Sequence, residues 1–171
     1  MNVSKIEEIM VYDETIDIVH NNDKDDIIYG TADIRNTMTT LIYFDDWYGN
    51  PHLSDSDYEL IVLANYGGHK LGIIVKEVAH IITIESQKMS DNSQNNAKST
   101  FVAKISIASE DHMCTIYDGD KMLLDIFDNI QEQSEQFLHA QSNELLHNKT
   151  VYFADDSKFV RSLVEQLFSK L

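Results

Sequence analysis

At 171 residues, with 43% hydrophobic and 25% charged side chains, the chain has a globular composition and room for one domain with an appendage. A formal net charge of -16, interrupted by no basic cluster, excludes phosphate backbones and anionic lipid as natural partners. Cys114 is the one cysteine, and the longest apolar runs, Leu60–Ala64 and Leu71–Val75, are only strand length; a cytoplasmic protein with no internal disulfide, signal peptide or membrane span is expected.

Asn2–Val11 sets Val3, Ile6 and Ile9 at helical spacing, with Ser4 as a candidate cap and Glu7 three positions on, and predicts a short helix or turn. Tyr12–Asp26 is acidic and polar and reads as a solvated loop. Ile27–Tyr29 leads into Gly30–Trp47, where threonines with Met38, Leu41, Ile42, Tyr43 and Phe44 suit a pleated, half-buried strand. Arg35 stands among them, a charge held on rigid scaffold as recognition requires; the alternative is that it pairs with a nearby Asp on a solvated edge. Gly49–Tyr58 is a loop carrying the only proline, Pro51. Glu59–Tyr66 and His69–Val75, joined across Gly67-Gly68, predict a β-hairpin, and Val78–Glu85 a further strand.

Gln87–Thr100 is polar, without apolar periodicity, and reads as a loop. Phe101–Ala108 and His112–Tyr117 predict a second hairpin, Lys121–Ile130 a helix, and the Gln- and Glu-rich Gln131–Lys149 a largely helical connector. Val151–Ala154 reads as a short strand closed by Asp155-Asp156-Ser157. Phe159, Val160, Leu163, Val164, Leu167 and Leu171 then mark an amphipathic helix.

Enzyme chemistry is thinly represented. His112 and Cys114 share a strand face without a second cysteine or a nearby histidine to complete a zinc set. His139 and His147 are two helical turns apart, too far to share a metal. No nucleophile elbow, P-loop or dinucleotide fingerprint occurs. Asp155 and Asp156, between strand and helix, are how an oxygen-ligand Mg²⁺ site begins, or else a helix cap where negative charge is favourable.

One stretch carries a resemblance. Gly30, Asp33, Ile34, Arg35, Met38, Leu41 and Ile42 fall in the pattern G-x-x-D/N-Φ-R-x-x-Φ-x-P-Φ-Φ-D-Φ (Φ apolar), similar to the hallmark strand of the CheW-like domain. Thr40 replaces its proline and Tyr43 its aspartate. Lys5–Ile9 resembles the family's K-Φ-x-E-I segment, Leu71–Val75 with Val78–Ile84 its second-barrel hairpin, and Met113–Leu124 its closing strand and helix. The resemblance implies a mainly β fold of two SH3-like five-stranded barrels, the first missing its opening strands. It also implies a non-catalytic adaptor coupling the chemoreceptor tip to the CheA histidine kinase, with Ile6, Glu8, Gly30 and Arg35 at the receptor groove.

Val151–Ser157 is similar to the opening of a response-regulator receiver domain, in which Asp155 and Asp156 would sit beside Mg²⁺; its phospho-acceptor would fall beyond Leu171. A CheW-like domain followed by a receiver is the arrangement of the CheV group, whose D-Φ-x-x-W is echoed by Phe44–Trp47. The division expected is 1–130 for the coupling domain, 131–148 for the linker and 149–171 for the receiver strand and helix. Two other classes fit the residues alone: an SH3-like peptide-binding module outside chemotaxis, and an acidic Mg²⁺-dependent hydrolase built on Asp155 and Asp156.

Overall fold

The computed structural model describes residues 5–21, 27–66, 68–91, 98–107, 109–127, 150–155 and 158–169. The chain divides into two compact units, Met1–Thr83 and Ile84–Leu171. It is mainly β, with one sheet in each unit.

The first unit holds β1 (Ile6–Val11), β2 (Ile18–His20), β3 (Ile28–Ile34), β4 (Thr37–Tyr43), α1 (Phe44–Tyr48), β5 (Leu60–Tyr66) and β6 (His69–Val75). They form a six-stranded sheet in the order β1-β5-β6-β4-β3-β2. The pair β4–β6 is parallel, Thr40 facing Leu71 through to Tyr43 facing Ile74, and the remaining ladders are antiparallel. Burial follows the strand period: in β3, Gly30, Ala32 and Ile34 are buried and Asp33 is exposed. One face of the sheet buries Ala32, Ile34, Leu41, Tyr43, Tyr58, Ile61 and Ile74 as a cluster. Ile42, Ile73 and Trp47 are also fully buried.

Two side-chain clasps tie edge strand β1 to the β3–β4 hairpin. Near its start Glu8 pairs with Arg35, and just past its end the Tyr12 hydroxyl bonds the hydroxyls of Tyr29 (3.4 Å) and Tyr43 (3.2 Å). Burial pushes the Tyr12 phenol up to about 12 and raises that of Tyr43 further, so both stay protonated hydrogen-bonding groups. α1 opens with Asp45 and Asp46 in its first turn, favourable at a helix N-terminus. It stops at Gly49, whose φ of 94° is the left-handed conformation of a glycine C-cap and whose N–H reaches the Asp45 carbonyl at 2.8 Å.

The second unit contains β7 (Met89–Asp91), β8 (Ser99–Ile107) and β9 (Glu110–Tyr117) in sequential antiparallel order, then α2 (Gly119–Ile126) and α3 (Lys158–Ser169), which lies against α2. Ala103, Met122, Leu124 and Ile126 are buried there. Buried Asp118 caps α2, its carboxylate accepting from the N–H groups of Asp120 and Lys121, both at 3.1 Å. Asp118→Ala is expected to cost about 0.5–2 kcal/mol, read as a lower urea midpoint at unchanged slope.

The structure corrects several expectations. The opening segment is strand β1, not a helix: Ile6, Glu8 and Met10 are half-buried while Glu7, Ile9 and Val11 are exposed, a period of two set by pairing with β5. β2 lies inside the stretch read as the loop Tyr12–Asp26, and β7 inside the stretch read as the loop Gln87–Thr100; both are three-residue edge strands, too short to show a period, and each pairs with the next strand in sequence. Phe44–Tyr48 is helical rather than extended. Val78–Glu85 forms no strand, and Val78, Ile81 and Ile82 are exposed; both edges of the preceding β6 are already taken by β5 and β4. Val151–Ala154 is likewise without strand pairing, with Val151, Tyr152 and Phe153 exposed. The connector 131–149 lies outside the described residues.

Candidate functional site: a charged groove at the hairpin turn

The long hallmark strand is really two strands and a turn. β3 ends at Ile34, β4 begins at Thr37, and Arg35 and Asn36 between them have φ of 54° and 60°. Positive φ at both central residues is the two-residue hairpin turn whose twist matches the strands. Asn accepts that conformation readily; Arg adopts it at a cost of about 1 kcal/mol. Arg35 is thus not held within a strand but presented at a tight turn, its side chain 75% exposed. It bonds Glu8 Oε1 through Nη2 at 2.6 Å, an acid on another strand rather than the nearby Asp of the solvated-edge alternative.

β1 supplies two acids where a regular strand would present one. Ile6 pairs with Ala64 and Glu8 with Leu63, leaving Glu7 as the extra residue of a bulge. The bulge brings Glu7 and Glu8 to one groove of about 220 Å³. Glu7 forms an ion pair with Lys70 and accepts from Asn65 Nδ2 at 2.9 Å, these two facing each other across β5 and β6. The Lys70 hydrogen bond, then that of Asn65, holds the Glu7 carboxyl below its usual range. Ile34, Leu63 and Leu71 complete the lining with Thr37 and Thr39. The result is a small groove floored by the buried Ile34 and Leu71 and bordered by two acid–base pairs, locally neutral in a chain of net charge -16.

Of the residues expected at the groove, Glu8 and Arg35 are brought together there. Ile6 pairs with Ala64 at the start of β1, outside the groove lining. Gly30 is outside it too, beneath β2: a Cβ would stand 2.6 Å from the Val19 carbonyl oxygen and 2.8 Å from Ile18 Cγ2, so packing already requires a glycine. Glu7 and Lys70 carry no signal in the sequence, because a bulge leaves none in composition.

At the other candidate position the Asp155 carbonyl oxygen accepts from Arg161 Nη1, and Asp156 lies outside the described residues. Among the described residues no group of three or more His, Cys, Asp or Glu is placed to hold a metal ion. His112 and Cys114 face Ile105 and Ala103 across β8 and β9. Among the described residues no helix is long and apolar enough to cross a membrane.

The first β-sheet unit thus carries a small groove bordered by two ion pairs at a strained arginine turn, a geometry suited to binding. The chain belongs to the CheW-like domain family, whose model matches residues 1–127. A solved structure, that of the scaffolding protein TtCheW from Thermoanaerobacter tengcongensis, is similar in fold, with a TM-score of 0.55 at 17% identity over 68% of this chain and 78% of that one. No curated protein sequence matches the chain.

Proposed function

We propose that this chain is a cytoplasmic chemotaxis adaptor that couples the cytoplasmic tip of a chemoreceptor to the CheA histidine kinase, and that the groove between the β3–β4 turn and β1 is where the receptor docks. The observation that carries the docking site is the Arg35–Glu8 pair at the edge of the groove, held by a backbone conformation unfavourable for arginine. Strain of this kind persists where the surroundings over-determine it, commonly at binding sites. Leu63, half-buried, supplies apolar area for affinity above a floor formed by the buried Ile34 and Leu71. Two ion pairs of fixed position supply orientation and selectivity. Because the guanidinium is largely exposed, it can engage a partner carboxylate while still bonded to Glu8. Binding and relative placement of partners is all the adaptor role requires.

The similarity of Val151–Ser157 and Phe44–Trp47 to the CheV arrangement supports the finer reading that the coupling domain leads into receiver-like sequence. Helix α3 agrees with it; the unpaired run Val151–Ala154 adds nothing to it.

Arg35→Gly separates binding from folding, since glycine takes the positive φ freely and an exposed ion pair contributes less than about 1 kcal/mol. In pull-downs with receptor cytoplasmic fragments, the variant is expected to lose about tenfold in affinity, near 1.4 kcal/mol, while its unfolding free energy stays within about 1 kcal/mol of the parent. Unchanged receptor binding by folded Arg35→Gly would rule out the groove as the docking site.

A further inference from the structure

The loop Gly49–Tyr58 is fastened to the first unit by side chains, and His52 is central to it. Its Nδ1 lies 2.8 Å from Asp46 Oδ1 on α1, and its Nε2 lies 3.4 Å from Asp55 Oδ1 in the one-turn helix Asp55–Asp57. The ring sits edge-on to Tyr43 at 4.7 Å and tilted against Tyr58 at 5.3 Å. A neutral imidazole has one N–H and one bare lone pair, so it donates to one carboxylate and turns a lone pair toward the other. Only the imidazolium donates to both.

We infer that His52 is a pH-sensitive latch: protonated, it ties α1 to the Asp55–Asp57 turn and seats the loop on the tyrosine cluster, and on losing its proton it lets go of one carboxylate and loosens the loop. The groups facing it agree from every side. Asp46, with Asp45 beside it, comes from α1, Asp55 from the turn, and the neutral phenols of Tyr43 and Tyr58 from β4 and the approach to β5. Asp55 in turn faces Tyr12 beyond β1. The Asp46 hydrogen bond, which outweighs the opposing effect of burial, together with Asp55, raises the His52 pKa above its ordinary value. A raised folded-state pKa means the latch is fully closed below about pH 6.5 and opens as pH rises through the folded value. The loop is also anchored through Asp45: Asn50 Nδ2 donates to Asp45 Oδ1 (2.9 Å), and the Tyr58 hydroxyl donates to Asp45 Oδ2 and accepts from the Leu53 N–H, both at 3.2 Å.

The test uses the full chain. The His52 ring is titrated by NMR and assigned with His52→Gln, and hydrogen exchange of the Leu53 amide, corrected for its intrinsic pH dependence, is followed over the same range. His52 is expected to titrate above 6.5, Asp46→Asn to lower that midpoint more than Asp55→Asn, and Leu53 protection to fall as His52 deprotonates, with His52→Gln at the lower level of protection throughout. A His52 midpoint at or below 6.5, or Leu53 protection that is level across the titration or kept by His52→Gln, would overturn the latch.

Discussion

Trp47→Ala is expected to lower the unfolding free energy by about 3–5 kcal/mol, the range for emptying a buried aromatic site. Trp47 is fully buried although it sits on a helix of only five residues, with the rings of Phe44 and Tyr48 at 5.9 Å and 6.0 Å. So short a helix has no stability of its own, and its place on the sheet depends on that indole. Domains of this size are stable by about 5–15 kcal/mol, so the loss removes a large share of the total. Since Trp47 is the only tryptophan, the measurement is urea unfolding followed by far-UV circular dichroism. A cost under about 1 kcal/mol would mean that α1 is not anchored by this side chain.

Gly30→Ala is the second large effect, expected at about 1–3 kcal/mol. The added methyl would meet the Val19 carbonyl oxygen, a backbone atom unable to swing aside as a side-chain tip does. Strand β2 must move outward, breaking its ladder with β3 at the His20–Gly30 pair. The variant also separates two roles. As a packing glycine, Gly30 affects receptor binding only in proportion to lost folded protein; a binding residue would show lost affinity at full stability. The first pattern is expected, from thermal melts alongside pull-downs at a temperature where the variant remains folded.

What the amino-acid order made legible was mostly local. β5 and β6 read clearly because two apolar runs flank Gly67-Gly68, and their pairing, Leu60 with Val75 through to Tyr66 with His69, needs only the intervening turn. β1 reads as helical because Val3, Ile6 and Ile9 fit helical spacing; its true period appears only on pairing with β5, distant in the sequence. Arg35 stands out in the sequence as a site residue but not as a turn residue, since Arg-Asn is not the Asn-Gly by which a two-residue turn announces itself. Val78–Glu85 has the β propensity of a strand and no vacant neighbour beside β6, a tertiary fact that propensity does not encode. The half of the site missed, Glu7 with Lys70, depends on one inserted residue in β1, and His52 depends on a loop folding back onto α1.

The most direct measurement is to titrate a receptor cytoplasmic fragment into the isotope-labelled chain and follow its amide and arginine side-chain NMR signals. Shifts concentrated at Glu7, Glu8, Arg35, Thr37, Leu63 and Lys70, and lost in Arg35→Gly, are the expected result. Saturable binding that leaves those six signals in place and perturbs residues elsewhere would contradict the groove as the surface through which this adaptor couples.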